Sequence, residues 1–136
     1  TNPFSVGLGK FVDLDKKDFI GKNALLNCKK KCITWGLRVK ENVALKGENI
    51  FSDNKVIGRV TSSTWSPFQV CGVAIIHLNN DQFGPSSVID VKCSDGKIYK
   101  GEICSLPMYD KKNEIVRGLV KNIPTKPEPW PGIQTK

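Results

Sequence analysis

The segment VIDVKCSDGKIYKGEI, residues 88–103, holds the strongest indication of the fold. Two stretches rich in β-branched residues, 88–93 and 97–103, flank the turn sequence Ser-Asp-Gly at 94–96. Aspartate followed by glycine between two such stretches is typical of a tight β-hairpin, because both residues tolerate positive φ angles. The segment therefore predicts two antiparallel strands joined by a short turn.

The stretches ahead of this hairpin have a similar character. Residues 33–39 alternate between apolar and polar side chains, and residues 70–78 are nearly all apolar, as in a strand covered on both faces. Residues 49–51 and 55–60 flank Ser-Asp-Asn at 52–54, which predicts a second hairpin. About six short strands at this spacing predict a mainly β fold, a small antiparallel β-barrel with one N-terminal helix.

The predicted helix is the one segment with helical periodicity. Apolar residues recur near helical spacing within residues 19–30, and Asp18 stands where an N-cap residue would stand. Gly21 weakens the first turn. Residues 11–14 alternate as a short strand would, and we interpret Asp15, like Asp18, as a turn or capping residue and not as half of a catalytic carboxylate pair.

The C-terminal part differs in composition. Residues 121–136 contain four prolines, which fit neither a helix interior nor a central strand. We predict a tail that either wraps the surface or docks on something else, and Trp130 favours docking because it is an unusual residue to leave in water. The chain thus divides into a barrel domain, residues 1–109, and a C-terminal extension, residues 110–136.

The composition is that of a globular protein with excess positive charge. Hydrophobic residues make up 39% and charged residues 25%, and the net charge is +8. The lysines are scattered, with one tight run at residues 29–31, whereas nucleic-acid binders cluster charge and interleave aromatic residues. We interpret the charge as a solvated basic surface that also suits an anionic ligand such as a polyglutamylated cofactor.

No apolar run approaches the roughly 18 residues of a membrane helix. Neither a membrane nor a nucleic acid is expected as a partner.

The cysteines and the single histidine do not form a metal-binding pattern. Cys28 and Cys32 could share a helix face, but no second pair has metal-ligand spacing and there is no CxxC. We expect free thiols in a reducing compartment, the cytoplasm, and no metal. His77 lies within an apolar stretch and is predicted to be a core or barrel-lining residue.

The most distinctive segment is GRVTSSTWSP, residues 58–67. It predicts a strand that leads into a hydroxyl-rich loop closed by Trp65 and Pro67. The hydroxyls and amides could hydrogen-bond a ligand while Trp65 packs against a ring. Alternatively, the segment is a barrel corner whose Ser and Thr side chains satisfy turn amides, and the residues alone favour this second interpretation. Arg117 could pair with an anion near the barrel mouth or lie exposed.

Complete catalytic signatures are absent from the sequence. It contains no nucleophile elbow, P-loop, dinucleotide-binding fingerprint or zinc-protease motif. Gly7 and Gly9 match only a fragment of the dinucleotide-binding fingerprint. No catalytic residue is predicted.

Four segments together resemble the glycine-cleavage T-protein superfamily, which includes aminomethyltransferase, dimethylglycine and sarcosine dehydrogenases, and dimethylsulfoniopropionate demethylase. They occur in the family's order and spacing. They are NPFSVGLG at residues 2–9, DFIGKNAL at 18–25, GRVTS at 58–62 with Ser66-Pro67, and LPMY at 106–109.

The resemblance implies a C-terminal barrel packed on a larger folate-binding region, in which tetrahydrofolate accepts a one-carbon unit. It implies that the catalytic acid lies in that upstream region and that the barrel closes one side of the folate channel. The candidate folate contacts are Ser62, Trp65, Ser66 and, more weakly, Arg117. The implied partners are the upstream region and a small-molecule one-carbon donor. Because the chain starts at Thr1 without methionine, we expect it to be excised, processed or expressed as a piece. Since the resemblance places the catalytic acid upstream, the piece is expected to be inactive alone.

A second hypothesis comes from the charge and the barrel pattern. Small barrels with basic surfaces can bind single-stranded nucleic acid. The alternative function is therefore a stand-alone basic barrel that binds RNA or a partner protein.

Overall fold

All six predicted strands form in a computed structural model of the chain, which describes residues 1–123 and 128–132. Five of them begin and end close to the predicted positions, but β3 runs on to Ser66 where the pattern predicted an end at Val60. The strands are β1 (Thr34–Val39), β2 (Asn49–Ser52), β3 (Lys55–Ser66), β4 (Cys71–Leu78), β5 (Val88–Lys92) and β6 (Ile98–Cys104).

The strands close into an antiparallel barrel in the order β1-β4-β3-β2-β5-β6, with β6 pairing back to β1. Both predicted hairpins are confirmed. The β2–β3 turn consists of Asp53 and Asn54, whose φ angles of 49° and 62° fit the twist that a two-residue hairpin loop requires. In the β5–β6 turn the Cys93 N–H donates to the Lys97 carbonyl at 2.8 Å. The mainly β barrel fold is therefore confirmed.

The core fills the inside of this barrel. Along β4 the residues at even positions are buried and those at odd positions after Cys71 are half-buried, because successive strand residues point to opposite faces. Leu37, Ile50, Ile76, Val91 and Ile103 are fully buried and come from five different strands. Each strand thus contributes its inward face to one shared apolar cluster.

The predicted helix is much shorter than its periodicity indicated. Helix α1 spans Lys22–Leu26, and Asp18 is not its N-cap, so the capping prediction was wrong. Gly21 takes that position with a φ angle of 90°, a left-handed conformation from which no regular helix can extend backwards. Ile20 consequently lies outside the helix and is fully exposed.

The predicted strand at residues 11–14 was also wrong. The N-terminal segment instead forms two short 3₁₀ turns, Phe4–Val6 and Gly9–Phe11. The Asp13 carboxylate accepts the N–H of Asp15 at 3.0 Å, which confirms a turn there.

The described part of the tail wraps the barrel. The Glu128 N–H donates to the Pro67 carbonyl at 3.1 Å, beside the end of β3. Trp130 is half-buried and lines a small cavity with Asn42 and Asp95. Residues 128–132 therefore wrap the surface of the barrel, which is the first of the two alternatives predicted for the tail. Residues 124–127 and 133–136 of the proline-rich stretch lie outside the described residues.

The single histidine, which was predicted to lie in the core or to line the barrel, is placed differently. His77 is half-buried on the outward face of β4, where its Nδ1 lies 3.1 Å from the Thr34 hydroxyl, so the core prediction was wrong. Its place in the strand decides this, because its neighbours Ile76 and Leu78 occupy the inward face.

All five cysteines are free thiols. Within residues 1–123 and 128–132, no three His, Cys, Asp or Glu residues are arranged to hold a metal, and no helix is long and apolar enough to cross a membrane.

Candidate functional site

The second half of β3 has a partner on one side only. A bulge between Val60 and Ser62 shifts the register with β4, after which residues 62–66 pair with β4 as far as Cys71. The pairing of β3 with β2 ends at Arg59. Among the described strands, residues 62–66 therefore have an unpaired edge, a row of backbone groups that another segment can bind.

Strand register separates the candidate residues onto two faces. Ser62 lies opposite Ile75 and Ser66 opposite Cys71, both on the outward face of β4, whereas Trp65 lies opposite Gly72 on the other face. Directly opposed residues project to the same side of an antiparallel pair. The structure thus brings Ser62 and Ser66 to one face and directs Trp65 away from them.

The segment is a strand and not the predicted loop, yet some of its hydroxyls do have the structural role predicted for a corner. The Thr61 hydroxyl donates to the Ile75 carbonyl at 2.9 Å, and the Ser66 hydroxyl accepts the Gln69 N–H at 3.4 Å in the β3–β4 turn. The hydroxyls of Ser62 and Thr64 make no hydrogen bond within the described part of the chain. These two groups are free to bind a ligand.

Trp65 is half-buried and lies outside the core cluster. Its indole Nε1 donates to the Glu128 carbonyl at 2.9 Å, so the tail contacts the most distinctive side chain of the segment. Gly72, directly opposite Trp65 on β4, has no side chain, and the Asn42 backbone occupies the position that a Cβ atom at Gly72 would take.

A shallow groove of about 190 Å³ lies over the outward face of this segment. It is bounded by Ser62, Thr64 and Met108. Met108 follows β6 and crosses β1 at Gly36, where a Cβ atom would lie only 2.7 Å from the Met108 side chain. The absence of a side chain at Gly36 thus allows the segment after β6 to approach the barrel.

Arg117 is exposed in a turn after the barrel. The Asp110 carboxylate organises that turn by accepting the N–H groups of Glu114 at 2.7 Å and Ile115 at 3.1 Å. The Arg117 side chain forms no hydrogen bond or ion pair in the described ranges, so no contact joins it to Ser62, Trp65 or Ser66.

A second arginine, which sequence reasoning missed, is fixed on the outward face of β1. Arg38 Nε donates to the Gln69 side-chain carbonyl at 3.1 Å, and its Nη2 donates to the Met108 carbonyl at 2.5 Å. These partners lie 31 and 70 residues away along the chain, so no local pattern could indicate the arrangement. Arg38 lines a larger groove of about 810 Å³.

Two buried thiols lie near this arginine. Burial raises the pKa of the Cys71 thiol, and the positive charge of Arg38 partly offsets that rise. Burial likewise raises the pKa of the Cys104 thiol. A raised pKa keeps both as weakly nucleophilic thiols, which does not suit a catalytic role for either.

Comparisons with known proteins agree with the fold and cover most of the barrel. Residues 33–110 match the sequence profile described as the glycine cleavage T-protein C-terminal barrel domain. An aminomethyltransferase of Bdellovibrio bacteriovorus is 32% identical over 118 residues, which cover 82% of this chain and 32% of that protein. The chain is also similar to an aminomethyltransferase of a Nostoc species, with 34% identity over 84% of this chain and 31% of that protein. It is 31% identical to an aminomethyltransferase of Aquifex aeolicus over 77% of this chain and 30% of that protein. The chain therefore spans about a third of the length of the curated relatives it matches.

Proposed function

The chain belongs to the family of glycine cleavage T-protein C-terminal barrel domains, and from this membership we propose that it is the C-terminal barrel of a tetrahydrofolate-dependent aminomethyltransferase-like enzyme. The observation that carries the proposal is the family match over residues 33–110, which includes the whole of β3. The parent reaction would be one-carbon transfer to folate, of the glycine-cleavage or dimethylsulfoniopropionate demethylase type.

The geometry of β3 supports a shared folate site and not one complete within this chain. The groove beside Ser62 measures about 190 Å³, below the roughly 300–1,000 Å³ of typical small-molecule sites. Among the residues that the structure describes, the Ser62 hydroxyl makes no hydrogen bond and the adjacent strand edge has no partner. A second region that covers this edge would complete the walls of a larger site, and we propose the upstream folate-binding region as that partner.

The roles that we propose for this chain's residues are limited to binding and orientation. The Ser62 hydroxyl would hydrogen-bond a polar atom of tetrahydrofolate on the outward face, and the Ser66 hydroxyl, which already accepts the Gln69 N–H, would donate its own proton there. Trp65 lies on the other face of the strand, so its ring would pack against a ring of the cofactor only where the cofactor passes over the strand end. Arg117 would pair with a carboxylate only if the upstream region brings one near it. When bound, the folate supplies the nitrogen that accepts the one-carbon unit, and the upstream region would bind the one-carbon donor and supply the catalytic acid. We further propose that the barrel domain ends at residue 109 and that the C-terminal extension begins at residue 110. We also propose that the protein is located in the cytoplasm.

A titration with tetrahydrofolate, followed by tryptophan fluorescence, tests this function. It is made on the chain alone and on the chain with the upstream part of its reading frame restored. We expect saturable binding only in the longer protein, because the groove on the barrel is incomplete. In the longer protein Trp65→Ala should weaken binding by about tenfold, corresponding to the loss of an aromatic contact of roughly 1.4 kcal/mol. It should lower the free energy of unfolding by less than about 1 kcal/mol, because the side chain lies outside the core.

Trp35→Phe is the control, because Trp35 packs against the barrel core and not on the β3 groove. If the longer protein binds no folate, the folate function is wrong. The basic-barrel alternative would then predict binding of an RNA oligonucleotide that weakens steeply as salt is raised. If Trp65→Ala instead costs several kcal/mol of stability with unchanged binding, Trp65 is a structural residue.

A further inference from the structure

The 810 Å³ groove beside β1 is lined by none of the proposed folate contacts. We propose that it is a binding site for a small organic monocarboxylate with an apolar body, held by the Arg38 guanidinium. The inference does not depend on the proposed folate function, since it concerns the outer surface of β1, β5, β6 and the β3–β4 turn.

The Arg38 guanidinium is anchored in a way that leaves its binding edge open. A guanidinium has five N–H donors, and the bonds to Gln69 and Met108 use one at Nε and one at Nη2. The two N–H groups of Nη1 and the second of Nη2 remain. Nη1 and Nη2 form the end-on edge of the planar group, which binds the two oxygens of a carboxylate in parallel. Because the other edge is fixed, little side-chain freedom is lost on binding.

The charge of Arg38 has no acidic partner in the structure. Within residues 1–123 and 128–132, no carboxylate lies within 4 Å of it, although Glu102 is its direct neighbour across the β1–β6 pair. Two other cations line the groove, Lys40 and Lys100, and Lys100 is already paired with Asp90 at 2.7 Å. A ligand carboxylate would therefore supply the missing partner of a half-buried cation.

The remaining lining selects for one negative charge and an apolar body. Glu41 and Glu102 also line the groove, where they balance the charges of Arg38 and Lys40 and disfavour phosphates and polycarboxylates relative to a single carboxylate. The apolar side chains Val70 and Val88 are 47% and 59% exposed there. A hydrophobic ligand body would remove these two surfaces from water.

The turn that carries Gln69 is strained at the groove. Val70 has a φ angle of 52°, a left-handed conformation that is costly for a β-branched residue. Such strain persists only where surrounding contacts impose it, and it concentrates at binding sites. Here the strained turn places the Val70 side chain in the groove next to the Gln69 amide that positions Arg38.

The test uses 2-naphthoate as the probe and its neutral analogue 2-naphthamide as the matched control. ¹H–¹⁵N NMR titration of this chain should show saturable shifts at the amides of Val70, Tyr99 and Gly101, with a dissociation constant below about 1 mM. The amide analogue should bind more weakly by about 10- to 100-fold, as expected for loss of a charge-assisted pair of hydrogen bonds.

Two pairs of variants locate the site. Arg38→Gln should lose about 10- to 100-fold in naphthoate affinity, whereas Arg59→Gln, an exposed arginine on β3, should leave it unchanged. Val88→Glu should weaken binding by repulsion without touching Arg38 or the core. Val56→Glu, an equivalent exposed change outside the groove, is its control.

The outcomes separate this site from the folate site. Absence of saturable naphthoate binding, equal binding of the amide, or unchanged affinity in Arg38→Gln would each overturn the proposal. If Arg38→Gln fails to fold, the comparison of Val88→Glu with Val56→Glu decides in its place. Trp65→Ala should leave naphthoate binding intact, so failure of one proposal is distinguishable from failure of the other.

Discussion

Asp95 and Tyr99 show how one side-chain contact sets the pH response of the β5–β6 hairpin. The Tyr99 hydroxyl donates to the Asp95 carboxylate at 2.7 Å. This bond lowers the pKa of Asp95 and raises the pKa of Tyr99. The lowered carboxyl pKa means that its contribution to stability is lost as the pH falls through that value. The raised tyrosine pKa means that its contribution is lost as the pH rises through it. The contact is therefore fully formed between about pH 4 and pH 10.

Tyr99→Phe should return the pKa of Asp95 towards its ordinary value, because the first cause of the shift is removed. A pH titration of the Asp95 carboxyl carbon by ¹³C NMR measures this. Tyr109→Phe, the other tyrosine in the chain, should leave the titration of Asp95 unchanged. An Asp95 titration that is the same in Tyr99→Phe and the parent chain would show that another donor holds the carboxylate.

At the residue scale, the sequence identified the β3 segment but not the contacts of its side chains. The run of hydroxyl residues around Trp65 is unusual enough to indicate a special segment. Its bond to Glu128 and the bonds of Arg38 to Gln69 and Met108 depend on chain segments brought together only by barrel closure. Local patterns do not contain that information. Whether Ser62, Trp65, Ser66 and Arg117 contact folate stays a prediction.

At the scale of the strands, β4 passes so close to the β1–β2 loop that one position must be glycine. A Cβ atom at Gly72 would overlap the Asn42 carbonyl oxygen, and backbone cannot move aside as a flexible side chain does. Gly72→Ala should therefore lower the free energy of unfolding by about 1–3 kcal/mol, the usual cost of overpacking. Urea unfolding measures the change.

Gly84→Ala is the matched control, because no atom lies within 4 Å of a Cβ built there. It should change stability by no more than about 0.5 kcal/mol. Equal effects of the two substitutions would mean that the β1–β2 loop yields to the added methyl group.

The elements that were predicted correctly are those with strong local signals. Both hairpins follow from turn residues that accept positive φ angles, Asp53 and Asn54 in one and Gly96 in the other. Helix α1 was overestimated because Gly21 adopts a left-handed conformation that outweighs the apolar spacing around it. Strand β3 was underestimated because Ser and Thr are read as loop residues, whereas pairing with β4 decides their conformation.

At the scale of the whole molecule, stability depends on the apolar interior that all six strands share. Ile76 is fully buried, so Ile76→Ala should cost about 2–5 kcal/mol through lost burial and the cavity that remains. Ile98→Ala removes the same atoms from a side chain that is 67% exposed and should cost no more than about 0.5 kcal/mol. Urea denaturation followed by circular dichroism compares the two. Similar costs would contradict a core confined to the inside of the barrel.

Three of the five free thiols, Cys71, Cys93 and Cys104, are buried in the folded barrel, and burial raises the pKa of Cys93 to about 11. Oxidants act on accessible thiolates, so these sulfurs react mainly in molecules that have opened. An opened chain in air can form mispaired disulfides that prevent refolding, which makes thermal inactivation irreversible unless a reductant is present. Oxidation of these three sulfurs is therefore limited by how often the barrel opens, so that a slower unfolding rate protects them as a reductant would.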